Sequence, residues 1–278
     1  MKTTLALVIG IVLLATAGCA PHRLAGNDVL PLTEEAQLQY PPSSGHIDMT
    51  LAAGQRRFQF NTQQYSLDYT VRPEGDVLHW QFIATAKIYG IENNKRAEPK
   101  TLDDVLKLYN LKDSHGKLKV EIETDLLGNP LWDAQAEEES DPDAELNDAF
   151  WQAYYRKVFS MLILPFSASN AATGAVISHG HPMVPVKYAP HFGDTEIVLS
   201  GQKTLKGHEC LVFEYKATSK QYKNRYRQKV IDSVDAALIV DKETKVLREA
   251  KSVYRAKNIT YYLKAAYSDP APDAADAQ

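Results

Sequence analysis

Cysteine is almost missing from this chain: in 278 residues only Cys19 and Cys210 carry a thiol. Cys210 stands in the apolar stretch Cys210-Leu-Val-Phe213 and reads as a small buried hydrophobe. Glu209 is its only charged neighbour on that strand, and an acid does not activate a thiol. A strong charge of one sign is missing too. The net charge of −4 is mild and of the wrong sign for a nucleic-acid partner. No second apolar run follows the first, so a transmembrane segment in the body of the chain is not expected. Catalytic signatures are also lacking. Gly-x-Ser-x-Gly does not occur, and no distinct pair of acids stands out for glycoside chemistry. Ser114-His-Gly-Lys117 matches Ser-x-x-Lys in letters but falls in a turn before a strand, where Ser and Gly are expected anyway. The balance leans away from an enzyme, although sites assembled from distant residues leave no local signature.

What is present begins at the N-terminus. Lys2 precedes an apolar run from Leu5 to Leu14, broken only by Gly10, and then come the small residues Ala15, Thr16, Ala17 and Gly18. This is the layout of a secretory signal peptide over residues 1–18. Cys19 follows at the cleavage point. Thr16-Ala-Gly-Cys19 resembles the lipobox of bacterial lipoproteins, with Thr16 where Leu is usual, and the resemblance covers the first twenty or so residues. It implies cleavage before Cys19, a diacylglyceryl group on its thiol and an acyl chain such as palmitate on the new N-terminus. At about 0.8 kcal/mol per buried methylene, one chain binds a membrane marginally and several anchor firmly. Ala20, where an Asp would favour inner-membrane retention in the Gram-negative family, implies the outer membrane and its periplasmic face. With Cys19 acylated, Cys210 has no disulfide partner despite an oxidising compartment. An ordinary signal peptide with an incidental cysteine is the alternative.

Residues 19–45 read as a lipidated cysteine and flexible tether ending in Tyr40-Pro-Pro-Ser-Ser-Gly45. Residues 269–278 are Ala, Asp and Pro bar the last, and cannot bury a core. Residues 46–268 read as one β-rich domain. Tyr65, Leu67, Tyr69 and Val71 alternate with polar residues. After a turn at Pro73-Glu-Gly75, Leu78, Trp80, Phe82, Ala84, Ala86 and Ile88 share one face. Leu118, Val120, Ile122 and Thr124 repeat the pattern. Further strands are expected at 195–200, 210–217, 222–230, 238–240, 245–254 and 259–266, with Asp241-Lys-Glu-Thr244 as a hairpin turn.

Two helices are expected. A short one is capped by Thr101 with Asp104 three residues on. A long amphipathic one starts at Asp141-Pro142 and ends before Pro165, with Leu146, Phe150, Tyr154, Val158, Met161 and Leu162 at helical spacing and Trp151 and Tyr155 widening the face. The fold class read from this pattern is α+β, a predominantly antiparallel curved sheet packed with one long and one short helix. In architecture alone this resembles the half-barrels of periplasmic lipid carriers and lipoprotein-localisation proteins. The Ser-, Ala- and Gly-rich segment from Phe166 to Met183 reads as a mobile loop.

Three constellations carry chemical interest. His179, His181 and His191, around Ser178-His-Gly-His-Pro182, have residue types that hold zinc or copper if the loop folds back, but loop histidines are also plain polar residues, and no His-x-x-x-His or Cys ligand pattern supports a metal cofactor. Lys223, Arg225, Arg227 and Lys229 fall on one face of the 222–230 strand, with no acid from Lys216 to Ile231. They would receive an anionic ligand or partner, or form a solvated face cross-paired with acids such as Glu249. Asp133 to Asp148 holds eight carboxylates at a spacing that fits no calcium loop, and reads as a solvated acidic stretch. Taken together, these residues point to a membrane-anchored, periplasm-facing binding module for a lipid, hydrophobic ligand or envelope protein, with Trp80, Phe82, Trp151 and Tyr155 in its core or groove. A metal-binding protein or metal-dependent hydrolase, and a structural envelope component, are the alternatives.

Overall fold

A computed structural model of the chain describes residues 24–55, 58–92, 95–96, 100–101, 117–131, 148–180, 192–193, 195–224, 226–256 and 259–268. The signal peptide, Cys19, the expected helix start at 141–147, most of the acidic stretch and the 269–278 tail lie outside the described residues. In chain order the strands are β1 (Ala36–Gln37), β2 (Ser43–Gln55), β3 (Phe58–Glu74), β4 (Val77–Glu92), β5 (Lys95–Arg96), β6 (Lys100–Thr101) and β7 (Leu118–Asp125). The helix α1 (Asp148–Ser160) follows. After it come β8 (Asn170–Ala171), β9 (Val176–His179), β10 (Glu196–Leu205), β11 (His208–Thr218), β12 (Tyr222–Lys223), β13 (Lys229–Val230), β14 (Ser233–Asp241), β15 (Leu247–Ala256) and β16 (Ile259–Ser268).

One antiparallel sheet dominates, in the order β5-β4-β3-β2-β16-β15-β14-β11-β10-β9, with β6 and β7 also paired to the outer edge of β4. Among the described residues its two ends, β5 and β9, do not pair with each other, and the sheet is open. The period-two segments form the strands expected of them: β7 alternates buried and exposed residue by residue, and Leu78, Trp80, Phe82, Ala84 and Ala86 are all buried. The Asp241–Thr244 turn joins β14 to β15 as a hairpin, with Asp241 Oδ1 accepting from the amides of Glu243 at 3.0 Å and Thr244 at 2.9 Å.

The α+β expectation is corrected. Among the described residues there is one helix of 13 residues, and the architecture is an antiparallel sheet with a minor helical element. Thr101, expected to cap the short helix, lies in β6 opposite Lys87. The long helix stops at Ser160, before Pro165, because tertiary contacts claim the next residues. The Leu162 and Ile163 amides donate to Phe159 and Ser160 in a tight turn. The Tyr40 hydroxyl then accepts from the Leu164 amide at 2.8 Å and donates to its carbonyl at 3.1 Å.

The sheet curls around this segment. From β4 to β11 is six strand steps, roughly 29 Å along a flat sheet. Yet the rings of Trp80, Tyr40, Phe166 and Phe213 connect β4 to β11 through successive centroid distances of 5.1, 5.5 and 5.8 Å. Phe159 of α1 fills the same side against Tyr65 at 5.5 Å and Phe82 at 5.4 Å. Each buried aromatic contributes about 2–3 kcal/mol of burial, and each well-placed ring pair about 1 kcal/mol more.

Residues 24–45 of the expected tether fall among the described residues. Residues 24–42 are docked on the domain: Ala36, Leu38 and Tyr40 are buried, the Leu38 amide donates to Ser169 and that of Tyr40 to Leu126, and Leu30 bridges to Gln202. Ala36, Leu38 and Tyr40 alternate with period two, and burying that face outweighs the loop-forming composition around it. The described part of the 166–183 segment is equally tied down, with β8 paired to β1, β9 paired to β10, and Ile177 buried.

Candidate functional site

Between β11 and β14 the chain leaves the large sheet and forms a small hairpin of its own. The neck closes where the Ser219 amide donates to the Asp232 carbonyl and the Asp232 amide to Ser219 Oγ, both at 2.8 Å. Two residue pairs follow, Tyr222 opposite Val230 and Lys223 opposite Lys229. Asn224 turns the tip: its Oδ1 accepts from the amides of Tyr226 at 2.9 Å and Gln228 at 3.0 Å, an arrangement Asn favours because its short amide mimics a backbone carbonyl. Arg227 takes the left-handed conformation that completes the turn.

At the foot of the hairpin, Asp232 is 1% exposed. Its Oδ2 accepts from the hydroxyls of Tyr222, on the hairpin, and Tyr254, on β15. Phe192 packs edge-on against Tyr254 at 5.9 Å. A buried carboxylate held by two phenols is costly to displace, and here it ties the hairpin to the sheet. Beside this foot β10 runs between β11 and β9, with Val198 opposite Glu214 on one side and Val176 on the other, and its register with β9 shifts between Ile197 and Val198. An open recess of about 770 Å³ lies here, lined by Phe192, Thr195, Glu196, Lys216 and Thr218 among others.

The sequence-derived basic residues are thus brought together on a hairpin, not along one strand. The expected 222–230 strand is interrupted because Asn224 bends the backbone and neither of its faces is apolar. Lys223, Arg227 and Lys229 are exposed, as is Lys220; Arg225 lies outside the described residues. Among the described residues none of Lys220, Lys223, Arg227 and Lys229 makes an ion pair, while Lys216 reaches Asp235 at 3.8 Å. Glu249, considered as their cross-strand partner, instead lies opposite Ile239 and Ala266 and pairs with Lys251 at 2.7 Å.

His179 ends β9, exposed and opposite Glu196. His181 and His191 lie outside the described residues, and among those described no three His, Cys, Asp or Glu side chains are grouped to hold a metal ion. Cys210 is buried, and burial together with the nearby Asp241 pushes its thiol up to about 11.

One cluster escaped the sequence reading. On the outer face of β2 and β3, His46 Nδ1 contacts Asp68 Oδ1 at 2.6 Å, His46 Nε2 contacts Ser66 Oγ at 3.0 Å, and Ser66 donates to Asp48 Oδ1 at 2.7 Å. The spacing echoes a Ser-His-Asp triad. The chemistry does not follow, because the serine proton is held by Asp48. Moreover, Ser66 sits between β2 and β4, where the ladders occupy the backbone amides an oxyanion hole would need. Only the cross-strand register, His46 opposite Asp68 and Asp48 opposite Ser66, brings these residues together. No single-strand signal announces it.

No family model matches the chain, and no curated protein is significantly similar to it.

Proposed function

We propose that this protein is a lipid-anchored, non-enzymatic binding module of the bacterial cell envelope, held through Cys19 on the periplasmic face of the outer membrane, and that it meets its partner on its surface. The observation that carries the reading is the filled inner side of the sheet. Tyr155, Phe159 and Phe166 are buried there against Tyr65, Phe82 and Phe213. A carrier of hydrophobic cargo keeps that volume for its ligand, in a pocket of about 300–1,000 Å³ lined mostly by apolar groups. Here the chain's own aromatics take the place of cargo. The lipobox-like Thr16-Ala-Gly-Cys19 supports the anchor.

The test is native mass spectrometry of residues 20–278, made without the lipid and purified from the periplasm, with denaturing and metal measurements on the same sample. The expected result is the bare domain mass, alongside palmitate incorporation into the full chain that disappears in Cys19→Ser. A lipid-sized adduct lost on denaturation would overturn surface binding. So would stoichiometric zinc lost on mutation of His179 and His181.

A further inference from the structure

We propose that the hairpin formed by residues 219–232 docks on the anionic phosphate headgroups of the membrane that carries the anchor; the inference rests on the anchored reading above. Its first support is unneutralised charge. Lys220, Lys223, Arg227 and Lys229 are exposed and, among the described residues, make no ion pair, although the chain as a whole is net negative at −4. Lys223 and Lys229 stand directly opposite each other, a like-charge cross-strand pair that destabilises a hairpin unless an anion bridges it. The one acid of the excursion, Asp232, is buried and turned to the phenols of Tyr222 and Tyr254, so it does not quench the cations above it.

The second support is apolar. Tyr226 is 66% exposed and Ile231 55% exposed, both within this short excursion. Cations interleaved with an exposed aromatic and an aliphatic side chain suit the interface between headgroups and acyl chains, where a Tyr ring sits at headgroup level and an aliphatic group dips below. A soluble acidic partner would satisfy the charges and leave the two apolar groups unexplained.

The third support is reach. Five residues carry the chain from Cys19 to Leu24, at most about 18 Å when extended. Leu24 packs with Val212 of β11 and Ala237 of β14. Val212 lies six residues before Thr218, where the hairpin begins, roughly 20 Å along the strand. Because residues 24–42 are docked and do not act as a spacer, the anchor holds the domain close to the bilayer, with Leu24 against the middle of β11. An anchor this short keeps the hairpin within a strand's length of the same bilayer, so a second contact there would be effectively intramolecular.

The deciding experiment is vesicle co-sedimentation of residues 20–278, which retain every described residue. Phosphatidylglycerol-containing vesicles are compared with pure phosphatidylcholine, and each with the variant K223A/R227A/K229A. The wild-type chain should bind only the anionic vesicles, and rising salt should release it. The variant should lose about fivefold in affinity for each cation removed, with an unchanged urea midpoint. Y226A/I231A should weaken binding without changing its salt dependence. Wild-type chain that ignores anionic vesicles, or a triple variant that binds as well as wild type, would overturn the proposal. So would release by inorganic phosphate at an ionic strength where chloride has no effect, which would make the site a free-anion site. Failure of palmitate incorporation at Cys19 would remove the anchored reading instead, and leaves the vesicle result to be judged by itself.

Discussion

At the scale of single residues, close approach and burial govern what can change. Gly201 sits at the irregular register of β10, with a positive φ, and a Cβ there would fall on the Leu30 carbonyl. Gly201→Ala should therefore cost about 1–3 kcal/mol in backbone strain and peel the docked N-terminal segment from β10. Limited proteolysis should show earlier cleavage between residues 24 and 35 than in wild type. Cys210 offers the opposite case. Its thiol is buried and pushed up to about 11, so at neutral pH it is protonated and out of reach. In residues 20–278 it should not react with a disulfide reagent until the chain is unfolded, and equal rates in native and denaturing buffer would contradict that burial.

At the scale of elements, two hairpins depend on one carboxylate each. Asp241 is 4% exposed. Burial alone would raise its pKa, but the Thr244 and Glu243 amides and Arg248, whose Nη2 lies at 3.1 Å, outweigh that and hold it below the ordinary carboxylate value. A depressed native pKa contributes stability that is fully present above the unfolded value, about 3.9, and is lost as pH falls through the native one. Wild type should accordingly lose more stability below pH about 4 than Asp241→Asn does, as read from urea midpoints across pH. Removing the carboxylate altogether in Asp241→Ala should cost about 3 kcal/mol at neutral pH, because the half-buried Arg248 loses its contact with Asp241 and the Glu243 and Thr244 amides lose their acceptor. Asp232 plays the corresponding part for the basic hairpin. Asp232→Asn weakens both phenol contacts, and amide exchange across residues 219–231 should accelerate while that of β14 and β15 stays slow.

At the scale of the whole molecule, one apolar cluster joins the two wings of the sheet with α1 and the 161–166 segment. Phe159 touches Tyr65, Phe82 and Tyr155. Phe159→Ala should remove about 3–5 kcal/mol and lower the denaturation midpoint of the whole sheet in a single transition. Separate transitions for the β2–β7 and β10–β16 wings would show that the cluster does not couple them.

Much of the sheet was legible because alternation is a local property. Tyr65 to Val71, Leu78 to Ala86 and Leu118 to Thr124 each carry their own period of two, and Asp241 to Thr244 its own turn chemistry. The basic residues were legible as a run, and Asn224 marked a turn within it, but the same alternation of charge reads as a strand when no partner is considered. The end of the helix was not legible, because Tyr40 claims Leu164 from 124 residues away. Nor was the docking of residues 24–42, where Ala36, Leu38 and Tyr40 hold a buried face inside a composition that otherwise signals a spacer. Sequence by itself determined the alternating strands β3, β4 and β7, the central hairpin turn and the grouping of the cations, since each depends on neighbours in the chain. Tertiary structure alone decided that the inner side of the sheet is filled, that Asp232 is turned away from the cations beside it, and that His46, Ser66 and Asp68 meet, since those facts depend on which distant strands lie side by side.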